Sequence, residues 1–226
     1  MKILIVAATP FEIAPVQKYL DQKFIKTDPF RYQKGEVQVS ILITGVGLTH
    51  TAYALGRVLG TDEWNLIINA GIAGAINRAL SIGEVVQVTQ EQFADQGVEE
   101  ADGSFTNLHE LGLIAPDQPP YKDGVLVNER SATYQFLKGV KGVSVNKVHG
   151  SEPSIKALVA NFPEAEIESM EGAAFFYACL HHSASFLEIR SISNYVEARN
   201  RDNWNLPLAI KNLNDTLIEM IESLFH

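Results

Sequence analysis

Three segments of the sequence carry side chains that could break a polar covalent bond. Thr9-Pro10-Phe11-Glu12 follows the apolar opening run, Met170-Glu171 precedes an apolar stretch of helical spacing, and Arg190-Ser191-Ile192-Ser193-Asn194 ends a second apolar run. Two carboxylates and a carboxamide can take a proton from water, hold hydroxyl groups and hydrogen-bond a departing heterocycle. Each also has a structural reading. Thr9 at N-cap, Pro10 at N1 and Glu12 at N3 form a capping-box pattern. An acid such as Glu171 suits any helix N-terminus, and Asn194 suits a turn. The functional reading of Glu12 rests on its place after a strand, at the sheet end where open α/β folds build their sites.

The elements that must position these residues are legible as apolar runs and helical periods. Ile3 to Ala8, Val37 to Thr44, Leu66 to Ala70, Glu84 to Thr89, Gly142 to Val148 and Phe186 to Ser193 have strand length, and most are hydrophobic almost throughout. Such runs predict strands covered on both faces. Thr49 to Leu59, Ile155 to Phe162, Glu171 to His181 and Pro207 to Phe225 carry helical spacing, and Ala165 to Glu168 is a short strand-like piece. The expected fold is α/β, a three-layer αβα sandwich around a mixed, twisted sheet, in a single domain over residues 1–226. The stretch from Phe93 to Val125, rich in Asp, Glu, Gly and Pro, reads as a long loop.

Composition excludes several classes of function. A formal charge of −9 without any Lys/Arg cluster argues against nucleic acid as a partner. One cysteine, Cys179, excludes an intrachain disulfide and a cysteine metal site, and fits a reducing, cytoplasmic setting. Six scattered histidines without ligand spacing predict no metal. The opening apolar run is broken at Thr9-Pro10 and no run of membrane length follows, so no membrane association is expected. Gly45-Val46-Gly47 lies between a strand and a helix, where backbone amides could approach a ligand, and Asn69-Ala70-Gly71-Ile72-Ala73-Gly74 ends another strand similarly. His50 stands at the sixth position of a dinucleotide fingerprint, so a nicotinamide or flavin fold is not supported.

Taken in this order, the segments resemble the methylthioadenosine/S-adenosylhomocysteine nucleosidases of the nucleoside phosphorylase superfamily. The likeness spans nearly the whole chain and runs without a gap from Val148 through Asn161-Phe162-Pro163 and Met170-Glu171 to Arg190-Ser191-Ile192-Ser193. It implies Glu12 as the base that activates water, and Met170 and Glu171 as the ribose site. It implies a purine slot at Val148 and the His149 backbone, with no cofactor. Val148 stands where the family has an aromatic, and Ile72 where it has a small polar residue that helps hold the water, leaving Arg190 to position that water with Glu12. At least a homodimer is implied, with the loop from Phe105 to Leu113, including His109, as the segment that reaches a neighbour.

Asn194 departs from that pattern, because adenine-cleaving members carry an Asp there. A carboxamide can donate to O6 of a purine while accepting from a protonated N7, which favours a 6-oxopurine over adenine. The run Ser193-Asn194-Tyr195-Val196-Glu197-Ala198-Arg199-Asn200-Arg201 is similar to the futalosine hydrolase branch. That branch implies release of hypoxanthine from futalosine, with dehypoxanthinylfutalosine as the other product, in menaquinone biosynthesis. Arg199 or Arg201 is then a candidate partner for the distal carboxylate of the substrate. Three alternatives remain open: adenine-releasing nucleosidase, purine nucleoside phosphorylase and non-catalytic nucleoside-binding module. A phosphorylase would need arginines around Thr9 to Phe11 and Ala70 to Gly74, and those segments contain none.

Overall fold

The computed structural model describes residues 1–130 and 136–225. The opening run forms β1 (Lys2–Ala7), buried from Ile3 onward because it lies between β4 (Val37–Ile43) and β5 (Leu66–Ala75), parallel to both. The other strands are β2 (Ile25–Asp28), β3 (Arg31–Lys34), β6 (Val85–Phe93), β7 (Gly97–Glu99), β8 (Phe105–Asn107), β9 (Tyr121–Lys122), β10 (Val125–Val127), β11 (Lys138–Ser144), β12 (Ile167–Ser169) and β13 (Phe186–Tyr195). The helices are α1 (Pro10–Lys23), α2 (Leu48–Val58), α3 (Glu152–Asn161), α4 (Gly172–His181) and α5 (Leu206–Ser223).

Among the described residues eleven strands make one mixed sheet, while β7 and β8 form a separate hairpin. Within the sheet β5 pairs with β12 and β13, β12 with β11, β11 with β6, and β6 back onto β13, so these strands close on themselves. Alternation along β13 divides the core. Phe186 and Ile192 join Leu55, Phe175 and Phe176 in one cluster with α2 and α4, whereas Leu187 and Ile189 join Ile13, Val16, Leu213 and Leu217 in another with α1 and α5. Helices thus cover both faces, the three-layer α/β arrangement that the apolar runs predict. Each fully buried Phe or Leu contributes about 1.5–3 kcal/mol. No helix among the described residues is long and apolar enough to cross a membrane.

Several boundaries differ from expectation for a physical reason. β5 continues through Gly71 and Gly74 to Ala75, and β13 continues through Asn194 to Tyr195, where the sequence suggests turns. Gly142 to Val148 is displaced: the strand is Lys138–Ser144, and its start was hidden by Lys138 and Lys141. The segment Phe93 to Val125 is not structureless, since it contributes the hairpin, the short edge strand β9 and the start of β10, whose partners are distant or brief. His109 in that segment folds back on its own chain, its Nδ1 3.0 Å from the Ile114 carbonyl oxygen and its ring edge-on to Tyr121.

Helix α1 carries Glu12 and contains Pro15, which removes one rung of its hydrogen-bond ladder. Asn214 of α5 braces that point. Its Nδ2 donates to the Glu12 carbonyl at 2.8 Å and its Oδ1 accepts the Val16 N–H at 3.0 Å. Replacing Asn214 with Leu leaves both backbone groups buried without this partner. It is expected to lower stability by about 2–4 kcal/mol. A urea melt that shows no shift of the midpoint would refute this bracing role.

Candidate active site

The C-terminal end of β1, the end of β4 and the middle of β5 converge beneath the first turn of α1. Glu12 is 8% exposed and serves two neighbours at once. Its Oε2 accepts the Thr9 N–H at 2.9 Å and the Thr9 hydroxyl at 3.0 Å, and its Oε1 accepts the Ile72 N–H at 3.3 Å. The capping role and the pocket position therefore belong to the same side chain. Ile72 contributes its main-chain N–H to Glu12, while its side chain forms cavity wall.

Glu171 is the N-cap of α4 and is 7% exposed. Its Oε1 accepts the Gly47 N–H at 3.0 Å. Gly47 has φ of 98°, a conformation open chiefly to glycine. The glycine turn before α2 thus holds a carboxylate of the protein, which corrects the expectation that its amides face a ligand. Burial pushes the Glu171 carboxyl above its usual range, while Arg190 and the Gly47 amide pull it back.

Arg190 lies beneath the cavity, 1% exposed, with Nε donating to Glu188 Oε1 at 3.0 Å. A Cβ at Gly71 would sit 2.2 Å from Arg190 Nη1 and 3.0 Å from Glu12 Oε1, so the absent side chain is what lets guanidinium and carboxylate approach. Burial opposes the Arg190 charge, but Glu188, Glu171, Glu12 and Glu91 outweigh it and hold its pKa above the usual value. Its Nη2 has no hydrogen-bond partner among the described residues. Glu188 and Glu91, both 0% exposed, were missed in the sequence.

Burial, reinforced by Glu188, drives the Glu91 carboxyl well above its ordinary pKa. The folded protein then keeps a proton that the unfolded chain loses near the ordinary value. Stability due to Glu91 is complete below that value and falls as pH rises towards the folded pKa. Glu91→Gln removes this loss. The variant is expected to gain on the parent protein as pH climbs from about 5 to 8, by at most about 1.4 kcal/mol per pH unit. Urea midpoints that differ by the same amount at every pH would contradict it.

Asn194 owes its position to a β-bulge. The register of β13 on β5 passes from Ile192 opposite Ala73 to Asn194 opposite Gly74, leaving Ser193 as the extra residue. The Ser193 hydroxyl donates to Asn194 Oδ1 at 2.8 Å, and Asn194 Nδ2 donates to the Tyr195 carbonyl at 2.9 Å. These bonds fix which end of the carboxamide is which. They leave one N–H and one lone-pair direction for a ligand.

Glu12, Ile72, Val148, Met170, Glu171, Asn194 and Arg199 share the wall of one cavity of about 350 Å³. Phe11 and Val46, 64% and 48% exposed, stand at its rim. A smaller recess of about 60 Å³ opens from Asn194 and Val148 to His149, Glu168, Arg199 and Trp204. The resemblance implies a base contact from the His149 backbone; in the structure the His149 N–H donates to Glu168, with Oε2 at 3.2 Å. Arg199 is at the rim with its guanidinium 5.4 Å from the Trp204 ring centre, whereas Arg201 lies in a short 3-10 turn off both walls. The arrangement offers a proton acceptor, a second carboxylate able to bind hydroxyl groups and a carboxamide around one cavity.

Strand closure, the acid-flanked cavity and the carboxamide on the bulge agree with a family match that covers residues 2–222: the chain belongs to the phosphorylase superfamily. Within it, the chain is 29% identical over 217 residues to a futalosine hydrolase from Acidothermus cellulolyticus, covering 94% of this chain and 87% of the relative. It is 26% identical over 219 residues to a 5'-methylthioadenosine/S-adenosylhomocysteine nucleosidase from Staphylococcus carnosus, covering 92% and 93%. The fold matches the native structure of futalosine hydrolase from Helicobacter pylori with a TM-score of 0.78 at 17% identity, over 99% of this chain and 98% of that one. It matches the adenine complex of the corresponding nucleosidase from Colwellia psychrerythraea with a TM-score of 0.77 at 22% identity, over 98% and 95%.

Proposed function

We propose that this chain is an N-ribosyl hydrolase that releases hypoxanthine from futalosine, leaving dehypoxanthinylfutalosine, as a cytoplasmic step of menaquinone biosynthesis. The observation that carries this reading is the fixed carboxamide of Asn194, a residue of the cavity wall whose two local hydrogen bonds leave it one further N–H and one further lone pair. A 6-oxopurine protonated at N7 is complementary to that pair, and adenine, with a donor at C6, is not.

In this reading the bond between C1′ and the purine nitrogen lengthens first, its electron pair moving into the base. As that charge develops N7 takes a proton from solvent, and Asn194 accepts a hydrogen bond from N7–H and donates one to O6; Glu12 later returns the proton it takes from water to solvent. Glu171 accepts the 2′- and 3′-hydroxyls and favours the cationic sugar, with Met170 beside it. Water attacks C1′ from the opposite face and gives its proton to Glu12, with Arg190 behind that carboxylate. Val148 and Ile72 supply apolar wall, and Arg199 at the rim is the partner for the distal carboxylate. No cofactor takes part. Hydrolysis is favoured over phosphorolysis by charge: Glu188, Glu171 and Glu12 surround Arg190, which leaves little positive potential for a phosphate. The exposed Phe11 and Val46 at the rim suit coverage by a second subunit, hence a homodimer.

Methylthioadenosine/S-adenosylhomocysteine nucleosidase is the second reading, on the strength of relatives of that name. Incubation in phosphate-free buffer with futalosine, inosine and methylthioadenosine, with chromatography of the released base, separates the readings. Hypoxanthine from futalosine is the expected result. Adenine from methylthioadenosine alone would replace it with the second reading, and turnover only after phosphate is added would make the chain a phosphorylase.

A further inference from the structure

We infer that Glu168, held by His149, is a specificity-determining residue that accepts the N1–H of a 6-oxopurine; this rests on the proposed release of hypoxanthine. The argument begins with strand register. Gly74 of β5 faces Glu168 of β12 on one side and Asn194 of β13 on the other. Residues opposed across neighbouring strands project to the same face, and two interstrand steps set the outer pair roughly 10 Å apart. Between them stands a glycine. A Cβ there would lie 3.2 Å from Asn194 Nδ2 and 3.0 Å from Val196 Cγ2, so the row is kept open by the missing side chain.

Glu168 is 4% exposed, yet it contributes to both the cavity and its recess. Its own partner is His149, which supplies two donors: the main-chain N–H, shared between Oε1 at 3.3 Å and Oε2 at 3.2 Å, and ring Nδ1, which contacts Oε1 closely. The pair fixes the carboxylate as an acceptor and leaves Oε2 a free lone-pair direction. Asn194 can read O6 and N7, but it leaves N1 unread. Hypoxanthine carries a hydrogen at N1, whereas adenine presents a bare lone pair there. An aimed carboxylate accepts the first and repels the second. Asn194 and Glu168 together address three consecutive positions along one edge of the base.

The test compares kcat/KM for inosine or futalosine with that for methylthioadenosine in the parent protein and in Glu168→Gln, which keeps the shape and presents an N–H towards N1. The ratio of 6-oxopurine to 6-aminopurine substrate is expected to fall by about 10- to 200-fold. Product inhibition gives a second readout that needs little turnover. Hypoxanthine is expected to inhibit the parent protein better than 1-methylhypoxanthine, and Glu168→Ala to abolish that preference. Equal loss on both substrate classes, or an N1-methyl preference unchanged in Glu168→Ala, would assign Glu168 a purely structural role and overturn the inference while hypoxanthine release stands. Release of adenine alone by the parent protein would overturn both.

Discussion

Glu12→Gln is expected to cut kcat on the preferred nucleoside by about 10²- to 10⁴-fold while ligand affinity stays within a few-fold. Glutamine fills the same volume and its oxygen can keep the shorter bond from the Thr9 N–H, while its NH2 replaces the oxygen that accepts the longer 3.3 Å bond from the Ile72 N–H. What it loses is the ability to take a proton from water. Some stability goes with the cap, about 1 kcal/mol, which is too little to unfold a typical domain. Steady-state rates together with calorimetric titration of hypoxanthine check the split. Unchanged kcat would remove Glu12 from the chemistry and leave it a cap, and loss of affinity in step with rate would point to a collapsed pocket.

The second large effect concerns which base leaves. In Asn194→Asp the donor to O6 is replaced by an oxygen that faces O6 lone pair to lone pair. Activity on futalosine or inosine is expected to fall by about 10- to 200-fold, equivalent to about 1–3 kcal/mol of an unpaired polar contact. Activity on methylthioadenosine is expected to rise, because an acid at that position can accept from the exocyclic amine and protonate N7. The ratio of the two kcat/KM values is the readout. A ratio that does not move would mean that the bulge position does not read the base.

These expectations share an origin in residues that stood out as polar at the ends of apolar runs. Glu12, Glu171 and Asn194 were legible for that reason, and the cavity brings all of them to one wall. Val148, Met170, Ile72 and Arg199 joined them through resemblance, and the same cavity holds them. Arg190 was legible as well, but it lies beneath the wall, joined to Glu188, rather than on it.

The less legible features have physical explanations. Gly71 and Gly74 read as turn residues, yet both lie inside β5, where each leaves room for a neighbouring side chain: Arg190 in one case, Asn194 in the other. Local sequence cannot tell a glycine that bends the chain from one that yields space to a strand distant in sequence. Glu188 was hidden as an isolated acid within an otherwise strand-like run, and Glu91 because it follows the run Glu84 to Thr89, between two glutamines, where β6 continues to Phe93. A signal was available: Glu188 and Arg190 are two apart in β13, hence on one face, and opposite charges at that spacing in a buried strand point to an internal ion pair. The Glu168–His149 contact spans two segments that periodicity treats separately, so only the strand register brings it into view.

The bulge at Ser193 has a consequence for how such a protein can change. Residues locked into a regular ladder, such as Glu188 and Arg190, are bound to their neighbours by pairing and by burial at once, so altering one strands another. Asn194 sits after the irregularity, half-buried, with its amide tied to its immediate neighbours Ser193 and Tyr195. Exchange there disturbs two local hydrogen bonds and little of the packing. On the proposed roles of Asn194 and Glu12, base preference is thereby separated from the scaffold: a lineage could trade one purine for another by a single side chain, while the ionic layer beneath stays unaltered.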